Sequence, residues 1–225
     1  MTIIIKRSAL KDTWLLSCVE ILKNGKKIHD ERGQNTLEVR NLIMETINPF
    51  NQYQNVKSIW TPKDFMFSRD YLNEYAEQLL DPEDKDFVYD YGNRLRGYFL
   101  DDKDCPIDQI EEVIKKLKNN QNSRRAIAIT IDPVIDNKEE DIPCLQQLTF
   151  LIRDSKLYIT ALFRSNDIGM AAFANQYGLL YIGTHIAKRL GINVGALTVH
   201  SVSAHIYETD IEAIKYILSK NGWDF

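Results

Sequence analysis

The chain has 225 residues, of which 28 are Lys or Arg and 32 are Asp or Glu, giving a formal charge of −4. This balance argues against a protein that binds long nucleic acids, because such proteins usually carry an excess of basic residues. A few converging arginines can nevertheless hold a small phosphorylated ligand. The 44% of apolar and 27% of charged residues are typical of a globular protein and exclude a disordered one. We therefore expect a single domain over residues 1–225.

The cysteines and the amino-terminal segment indicate where the protein works. Cys18, Cys105 and Cys144 are few, odd in number and without metal-ligand spacing, which predicts a reducing compartment and no bound metal. The opening residues Met-Thr-Ile-Ile-Ile-Lys do not resemble a signal peptide. No segment approaches the ~20 apolar residues that cross a bilayer. The expected location is the cytoplasm, without a membrane partner.

Helical periodicity dominates the first half of the chain. Apolar residues recur at three- and four-residue spacing in three segments, 8–24, 68–80 and 107–117. Gly25 follows the first segment, and Asp81-Pro82 follows the second, as is typical of helix ends. We predict a helix in each segment.

The second half of the chain is richer in strand patterns. We predict strands over 125–131, 145–153, 157–165 and 196–207. The second and third of these form a hairpin around Asp154-Ser155-Lys156. A helix over 173–190 is apolar nearly all round and ends at Gly191, and Thr209 with Glu212 predicts a capping box for a last helix. Helices and long strands without regular βαβ alternation indicate an α+β layered fold.

Four groups of residues in the second half could carry chemistry. They are Arg124-Arg125, Cys144, Arg164-Ser165-Asn166-Asp167, and the pair His205 and Tyr207, which share one face of a strand. Each group also has a structural interpretation. The cysteine could be a small buried hydrophobe, the arginine pair a solvated surface, the aspartate a turn cap, and the histidine and tyrosine part of the core.

Together these groups belong to a series of five stretches that spans more than half of the chain. In order they are Tyr91-Gly92-Asn93-Arg94-Leu95-Arg96-Gly97-Tyr98, Asn122-Ser123-Arg124-Arg125, Ile142-Pro143-Cys144, Phe163-Arg164-Ser165-Asn166-Asp167 and Ser203-Ala204-His205-Ile206-Tyr207. The series resembles the thymidylate synthase family, which includes the pyrimidine nucleotide hydroxymethylases. The short chain and Glu31-Arg32-Gly33 are similar to the compact archaeal-type members. The resemblance implies a large mixed sheet packed with helices, with the sheet forming a dimer interface.

The resemblance also implies a reaction and a nucleotide site. Family members add a one-carbon unit to C5 of a pyrimidine nucleoside 5′-monophosphate after a thiolate attacks C6, and Cys144 matches that nucleophile. Arg164 matches the residue that lies beside the thiol and binds phosphate together with Ser165. Further residues match other family contacts. They are Arg32 for phosphate, Arg124 and Arg125 for phosphate from the other subunit of a homodimer, and His205 with Tyr207 for the sugar hydroxyl.

The base and co-substrate contacts follow from the same resemblance. Asn175 matches the asparagine that reads uracil, and an amide that both donates and accepts complements N3–H and O4 of that base. Two alternatives stay open, that Asn175 only caps the buried helix and that its amide turns over to suit cytosine. Asp167 matches a contact to the pterin of 5,10-methylenetetrahydrofolate, or of a methanopterin analogue. Glu45 is the candidate for the general base.

Departures from the long family members leave three functions open. Leu145 stands where they have His, Phe163 where they have Gln, and the terminal residues Asn221-Gly222-Trp223-Asp224-Phe225 do not match their closing tail. The first hypothesis is reductive methylation of dUMP to dTMP. The second is hydroxymethylation of a cytidine or uridine nucleotide, in which water traps the methylene intermediate. The third is nucleotide binding without turnover, against which the thiol of Cys144 argues.

Overall fold

The computed structural model describes residues 2–50, 55–85 and 89–224. Its strands are β1 (Ile3–Arg7), β2 (Lys26–His29), β3 (Asn35–Thr46), β4 (Ala126–Ile129), β5 (Leu145–Arg153), β6 (Lys156–Asp167) and β7 (Asn193–Tyr207). Its helices are α1 (Leu10–Asn24), α2 (Arg69–Gln78), α3 (Tyr91–Arg96), α4 (Gln109–Asn119), α5 (Ala172–Leu190) and α6 (Ile211–Lys220).

The strands form one mixed sheet in the order β1-β3-β7-β6-β5-β4, and β2 pairs with β3 beside β1. β1 is parallel to β3 and β6 is parallel to β7, whereas the other neighbours are antiparallel. Helix α5 packs on β6 and β7, with α1, α2 and α4 packed against it. The α+β layered fold expected from the sequence is therefore confirmed, with helices packed against a large open sheet.

The predicted helices and strands lie close to the observed ones. The 8–24, 68–80 and 107–117 segments become α1, α2 and α4, and the hairpin and the buried helix form as expected. Asp154 and Ser155 both have positive φ at the hairpin turn. Gly191 ends α5 in the left-handed conformation with φ of 70°, which a glycine adopts without steric cost.

Two features of the fold differ from the sequence predictions. The strands β1, β2 and β3 and the short helix α3 were not predicted. The prediction of a capping box was wrong. Thr209 lies in a short 3₁₀ turn before α6, and its hydroxyl donates to Asp210 Oδ1 at 3.2 Å. Asp210 is the residue at the helix start, and its side chain caps no backbone N–H.

In the three strands β3, β7 and β6, the alternation of core-facing and outward-facing side chains shifts by one residue at the same height in the sheet. In β7 the core-facing positions run through Val199 and Ser201, then shift to Ala204 and Ile206. In β6 the buried set shifts in the same way after Phe163, and β3 carries Asn41 there with φ of 56°. Because neighbouring side chains on a strand point to opposite faces, this shift turns the ends of β6 and β7 over. Ser165, Asp167, His205 and Tyr207 therefore lie on the side of the strands away from Ala204 and Ile206, whereas Asn166 is buried and donates to the Ser201 hydroxyl at 2.9 Å.

Candidate active site

A cavity of about 500 Å³ lies at the end of the sheet where this shift occurs. It is lined by eight of the eleven residues singled out from the sequence, namely Arg32, Cys144, Arg164, Ser165, Asp167, Asn175, His205 and Tyr207. They come from the loop after β2, the start of β5, the end of β6, the first turn of α5 and the end of β7. Residues spread over most of the chain thus meet in one place.

Cys144 and Arg164 are joined through the backbone that carries the thiol. The Arg164 N–H donates to the Cys144 carbonyl at 2.9 Å. The Arg164 guanidinium donates to the carbonyls of Pro143 at 3.2 Å and Ile142 at 2.6 Å. This ties a permanent positive charge to the backbone segment that carries a half-buried thiol. These two hydrogen bonds use Nε and Nη2 of Arg164, so Nη1 of the guanidinium can still donate to an anion.

Tyr89 and Tyr91 line the same cavity as this arginine. The Tyr91 hydroxyl accepts the backbone N–H of Leu145, the residue after the thiol, at 3.0 Å. Tyr89 lies against both the Cys144 sulfur and Tyr91, and burial, with Cys144 as the next cause, raises the pKa of Tyr89 to about 12. Burial raises the pKa of Tyr91 well above its usual range as well. Both hydroxyls are therefore protonated at neutral pH and act as hydrogen-bond donors near the sulfur.

Arg32 faces the cavity from the turn between β2 and β3. Asp30 holds that turn by accepting the backbone N–H groups of Arg32 at 3.1 Å and Gln34 at 2.7 Å. The Arg32 guanidinium is paired with Asp141, which raises its pKa. Because both partners are about half exposed, this ion pair is weak. A doubly charged phosphate can therefore displace Asp141 from Arg32.

His205 and Tyr207 occupy the floor of the cavity on the turned-over end of β7. Their rings pack edge to face at 5.0 Å, and His205 Nδ1 lies 3.5 Å from the Ser165 hydroxyl. Burial lowers the pKa of His205, so the imidazole is neutral at pH 7 and has one donor and one acceptor nitrogen. Such a pair suits a sugar hydroxyl, which also donates and accepts.

Asp167 and Asn175 connect the sheet end to the start of α5. Asp167 Oδ1 accepts the backbone N–H of Met170 at 3.1 Å, so the interpretation of this residue as a turn cap is confirmed. Burial nevertheless raises the pKa of Asp167 to about 6. The alternative that Asn175 caps α5 is wrong, because no side chain caps that helix and the Asn175 amide oxygen instead accepts the Tyr75 hydroxyl.

Three of the predicted residues do not line this cavity. Glu45 lies on β3 opposite Thr198 and forms an ion pair with Lys6 at 2.8 Å. It is seven positions along the strand from Glu38, which does line the cavity, so the two are roughly 20 Å apart. Glu45, the candidate for the general base, therefore lies away from the cavity that contains Cys144. Arg124 and Arg125 are exposed just before β4 and lie outside the cavity of their own chain.

An aromatic groove opens from the same cavity. Phe67 stacks on Tyr71 with ring centroids 4.5 Å apart, and Tyr71 stacks on Tyr75 at 6.4 Å with nearly parallel planes. Tyr75 lines the main cavity and the two cavities beside it, one of similar volume and one smaller. A flat heteroaromatic ring could lie against these faces.

Sequence reasoning missed several residues of the site. Tyr75 and Tyr71 were interpreted only as the apolar face of a helix, and Tyr91 was part of a family motif without an assigned role. Tyr89 and Glu38 carried no periodic or motif signal. The recurrence of Tyr at positions 71, 75, 89 and 91 was the available sign, since several hydroxyl-bearing aromatics in one short region are typical of a ligand pocket.

A second, larger cavity of about 810 Å³ lies beside α1 where β1 and β2 approach β3. Apolar side chains of Ile3, Ile5 and Leu16 form much of its lining, which includes none of the eleven predicted residues. The smaller cavity therefore remains the candidate site, because Cys144, Arg32, Arg164 and the polar residues at the ends of β6 and β7 line it together.

Comparison with known proteins agrees with this geometry. The family model described as thymidylate synthase matches residues 45–224. A protein of Methanothermobacter marburgensis is 38% identical over 221 residues, covering 95% of this chain and 96% of the relative. A protein of Methanococcoides burtonii is 39% identical over 216 residues, covering 96% and 94%, and one of Methanocaldococcus jannaschii is 40% identical over 203 residues, covering 87% of each. All three bear the name "Putative thymidylate synthase".

The chain therefore belongs to the thymidylate synthase family, as its motifs indicated. Membership implies a one-carbon transferase whose substrates are a nucleoside monophosphate and a reduced folate. No helix within residues 2–50, 55–85 and 89–224 has the length and apolar character needed to cross a membrane. In those same ranges, no three His, Cys, Asp or Glu side chains group as metal ligands would.

Proposed function

We propose that this protein transfers a one-carbon unit to C5 of a pyrimidine nucleoside 5′-monophosphate, most simply by reductive methylation of dUMP to dTMP. The observation that carries the proposal is the meeting of Cys144, Arg164 and the polar floor in one cavity of about 500 Å³. A thiol that adds to C6 makes C5 nucleophilic, and this covalent route needs a thiolate beside the ring. The guanidinium of Arg164 stabilises that thiolate.

The remaining cavity residues can each take one part of the nucleotide. Arg32, Arg164 and Ser165 present cationic and hydroxyl donors suited to a phosphate. The neutral ring of His205 and the hydroxyl of Tyr207 suit the sugar hydroxyl. The Asn175 amide lies on the opposite wall, at a distance along the chain that matches the base-reading position of the family. Burial raises the pKa of Tyr207, so its hydroxyl keeps its proton at neutral pH.

The aromatic groove fits the reduced pterin that the family uses. Phe67, Tyr71 and Tyr75 present stacked faces, and the groove joins the nucleotide cavity at Tyr75. When bound, the co-substrate supplies the carbon and, for methylation, the hydride. Asp167, with a pKa of about 6, can accept or donate a proton at its carboxylate near neutral pH. The same groove would serve methylenetetrahydrofolate or a methanopterin analogue.

We also propose that the enzyme is a homodimer. The helices that contact the sheet are connected to one another, α1 and α4 through α5 and α3 through α4, as a single layer of helices would be. On β7, Val202 is 44% exposed, and on β4 Ile127 is 40% exposed. A second copy of the chain covering this face would bury these apolar side chains. The second copy could also bring its Arg124 and Arg125 to the phosphate. An acidic protein needs such additional positive charge in order to bind a dianion.

The test is incubation with dUMP, dCMP, UMP or CMP together with methylenetetrahydrofolate, followed by mass spectrometry and absorbance measurement. We expect dUMP to gain 14 mass units as dihydrofolate absorbance appears, because methylation replaces a hydrogen atom by a methyl group and oxidises the pterin. A gain of 30 mass units without that absorbance identifies hydroxymethylation, the second candidate function. Nucleotide binding without any product, with the methanopterin analogue also tried, contradicts both reactions.

A further inference from the structure

Tyr75 and Asn175 form a hydrogen bond that joins α2 to α5 at the edge of the cavity. The Tyr75 hydroxyl donates to Asn175 Oδ1 at 2.5 Å. The Tyr75 ring is held in the stack with Tyr71, and the backbone N–H of Asn175 donates to Ala171 at 3.0 Å. Both side chains therefore extend from fixed backbone positions, and both line the nucleotide cavity.

This hydrogen bond determines which way round the Asn175 amide stands. Burial raises the pKa of the Tyr75 hydroxyl, so it remains a donor that needs an acceptor. Among the described residues, Asn175 Oδ1 is the acceptor that the structure provides. If the amide turned over, the hydroxyl oxygen could accept from its NH2, but the hydroxyl proton would lose Asn175 Oδ1 as its acceptor, which carries a cost in a partly buried place. The amide is thus held with Oδ1 toward Tyr75 and Nδ2 on the other side.

We propose that Tyr75 is a positioning residue that makes the site select uracil over cytosine. With Nδ2 held away from Tyr75, Asn175 offers a donor to position 4 of the base. Uracil has a carbonyl oxygen there, which accepts, whereas cytosine has an amino group, which also donates. The second lone pair of Oδ1 can still accept N3–H of uracil. This inference rests on the proposed function, because it takes Asn175 to face the base.

The experiment measures dissociation constants of dUMP and dCMP by calorimetry, without pterin, so that no reaction occurs. We expect the unmodified protein to prefer dUMP. Tyr75→Phe keeps the ring and removes the hydroxyl, so the amide can turn, and the dUMP preference should fall about tenfold. Thermal unfolding of each variant shows that the fold is retained.

A matched control is present on the same two helices. The Tyr177 hydroxyl donates to Asn73 Oδ1 at 2.7 Å, joining α5 to α2 by the same chemistry, and neither residue lines the nucleotide cavity. Tyr177→Phe should leave the ratio of dissociation constants within about twofold. An equal loss of preference in both variants would show a general loosening of the helix pair and would overturn the inference.

A double-mutant cycle separates positioning from direct contact. If Tyr75 acts through the amide, Tyr75→Phe should change the ratio in the natural background and not in an Asn175→Ala background. An unchanged ratio after Tyr75→Phe, or a preference of the unmodified protein for dCMP, overturns the inference while leaving nucleotide binding in place. Failure of the unmodified protein to bind either nucleotide contradicts the proposed function instead.

Discussion

At the scale of single residues, the thiol of Cys144 depends on groups that hold its backbone and its charge. Arg164 binds the carbonyls of residues 142–144, and Tyr91 accepts the N–H of the next residue. The loop is therefore fixed on both sides of the sulfur. Such preorganisation matters because a misplacement of about 1 Å can cost a hundredfold in rate.

Replacing the nucleophile separates binding from chemistry. Cys144→Ser should lower turnover by at least about a thousandfold, because a serine hydroxyl is not ionised beside an arginine. Nucleotide affinity should change by less than about threefold, since the phosphate and sugar contacts remain. Steady-state kinetics and calorimetry measure the two quantities. Cys105→Ser is the matched control, because Cys105 is exposed and outside the cavity. Full activity of Cys144→Ser would eliminate the covalent route.

The raised pKa of Asp167 predicts a specific dependence of stability on pH. The folded pKa of about 6 exceeds the unfolded value of about 3.9, so the folded state binds the proton more tightly. Proton binding at Asp167 therefore adds about 3 kcal/mol to the free energy of unfolding below pH 4. This contribution is lost as the pH rises through 6. Urea titrations measure the free energy of unfolding of the unmodified protein and of Asp167→Asn. Between pH 4 and 7 the value for the unmodified protein should fall by this amount relative to that of the variant. Parallel curves for the two proteins from pH 4 to 7 would refute the assignment.

At the scale of elements, the six-residue helix α3 ties three parts of the chain together. Asp90 caps it by accepting the N–H of Gly92 at 2.7 Å. Arg94, nearly fully buried, pairs with Asp136 at 2.7 Å and donates to the Thr130 carbonyl. Tyr91 reaches the start of β5. A helix this short is stable only through such tertiary contacts, so its placement and that of the thiol are coupled.

Gly92 is the residue that allows α3 to approach α2. A Cβ atom there would lie 2.1 Å from the Gln78 carbonyl oxygen and 2.4 Å from that of Asp81, and both are backbone atoms. Gly92→Ala should destabilise the fold by about 2 kcal/mol or more and lower the melting temperature by several degrees. Gly169→Ala is the control, because its nearest contacts are at 3.4 Å. Equal melting temperatures for both variants would contradict this close approach.

At the scale of the whole molecule, the proposal requires two chains for each active site. Arg124 and Arg125, which we propose bind phosphate, lie outside the cavity of their own chain, on the segment that enters β4. A shared site explains why an acidic chain places exposed arginines at this position. It also means that each chain can be defective in a different part of the same site.

Hybrid dimers test this arrangement. Neither an Arg124→Ala/Arg125→Ala double variant nor Cys144→Ala should be active alone. After mixing and subunit exchange, half of the dimers are hybrids, and each hybrid has one intact site, so roughly a quarter of the normal activity should return. Analytical ultracentrifugation verifies the dimers, and tagged subunits verify the exchange. Verified hybrids with no activity would refute the shared site.

Much of the fold was predictable because its signals are local. The helices α1, α2, α4 and α5 carry apolar residues at helical spacing, and the β5–β6 hairpin has a polar turn between two strand patterns. The amino-terminal strands were missed for physical reasons. β2 has four residues, all exposed, and the left-handed Asn41 interrupts the alternation of β3. Thr209 and Glu212 had the spacing of a capping box, but a 3₁₀ turn occupies that position instead.

The sequence by itself indicated the family and eight residues of the cavity lining, including the cysteine proposed as the nucleophile, because these are specified by residue types at fixed spacing within continuous stretches. Only the tertiary structure decided which carboxylate lines the cavity and which lies far along β3, since Glu38 and Glu45 differ only in their position on one strand. It also decided the roles of Tyr75, Tyr89 and Tyr91, whose hydroxyls find their partners across elements. Contacts between distant segments depend on how helices and strands pack, and no local pattern records that packing.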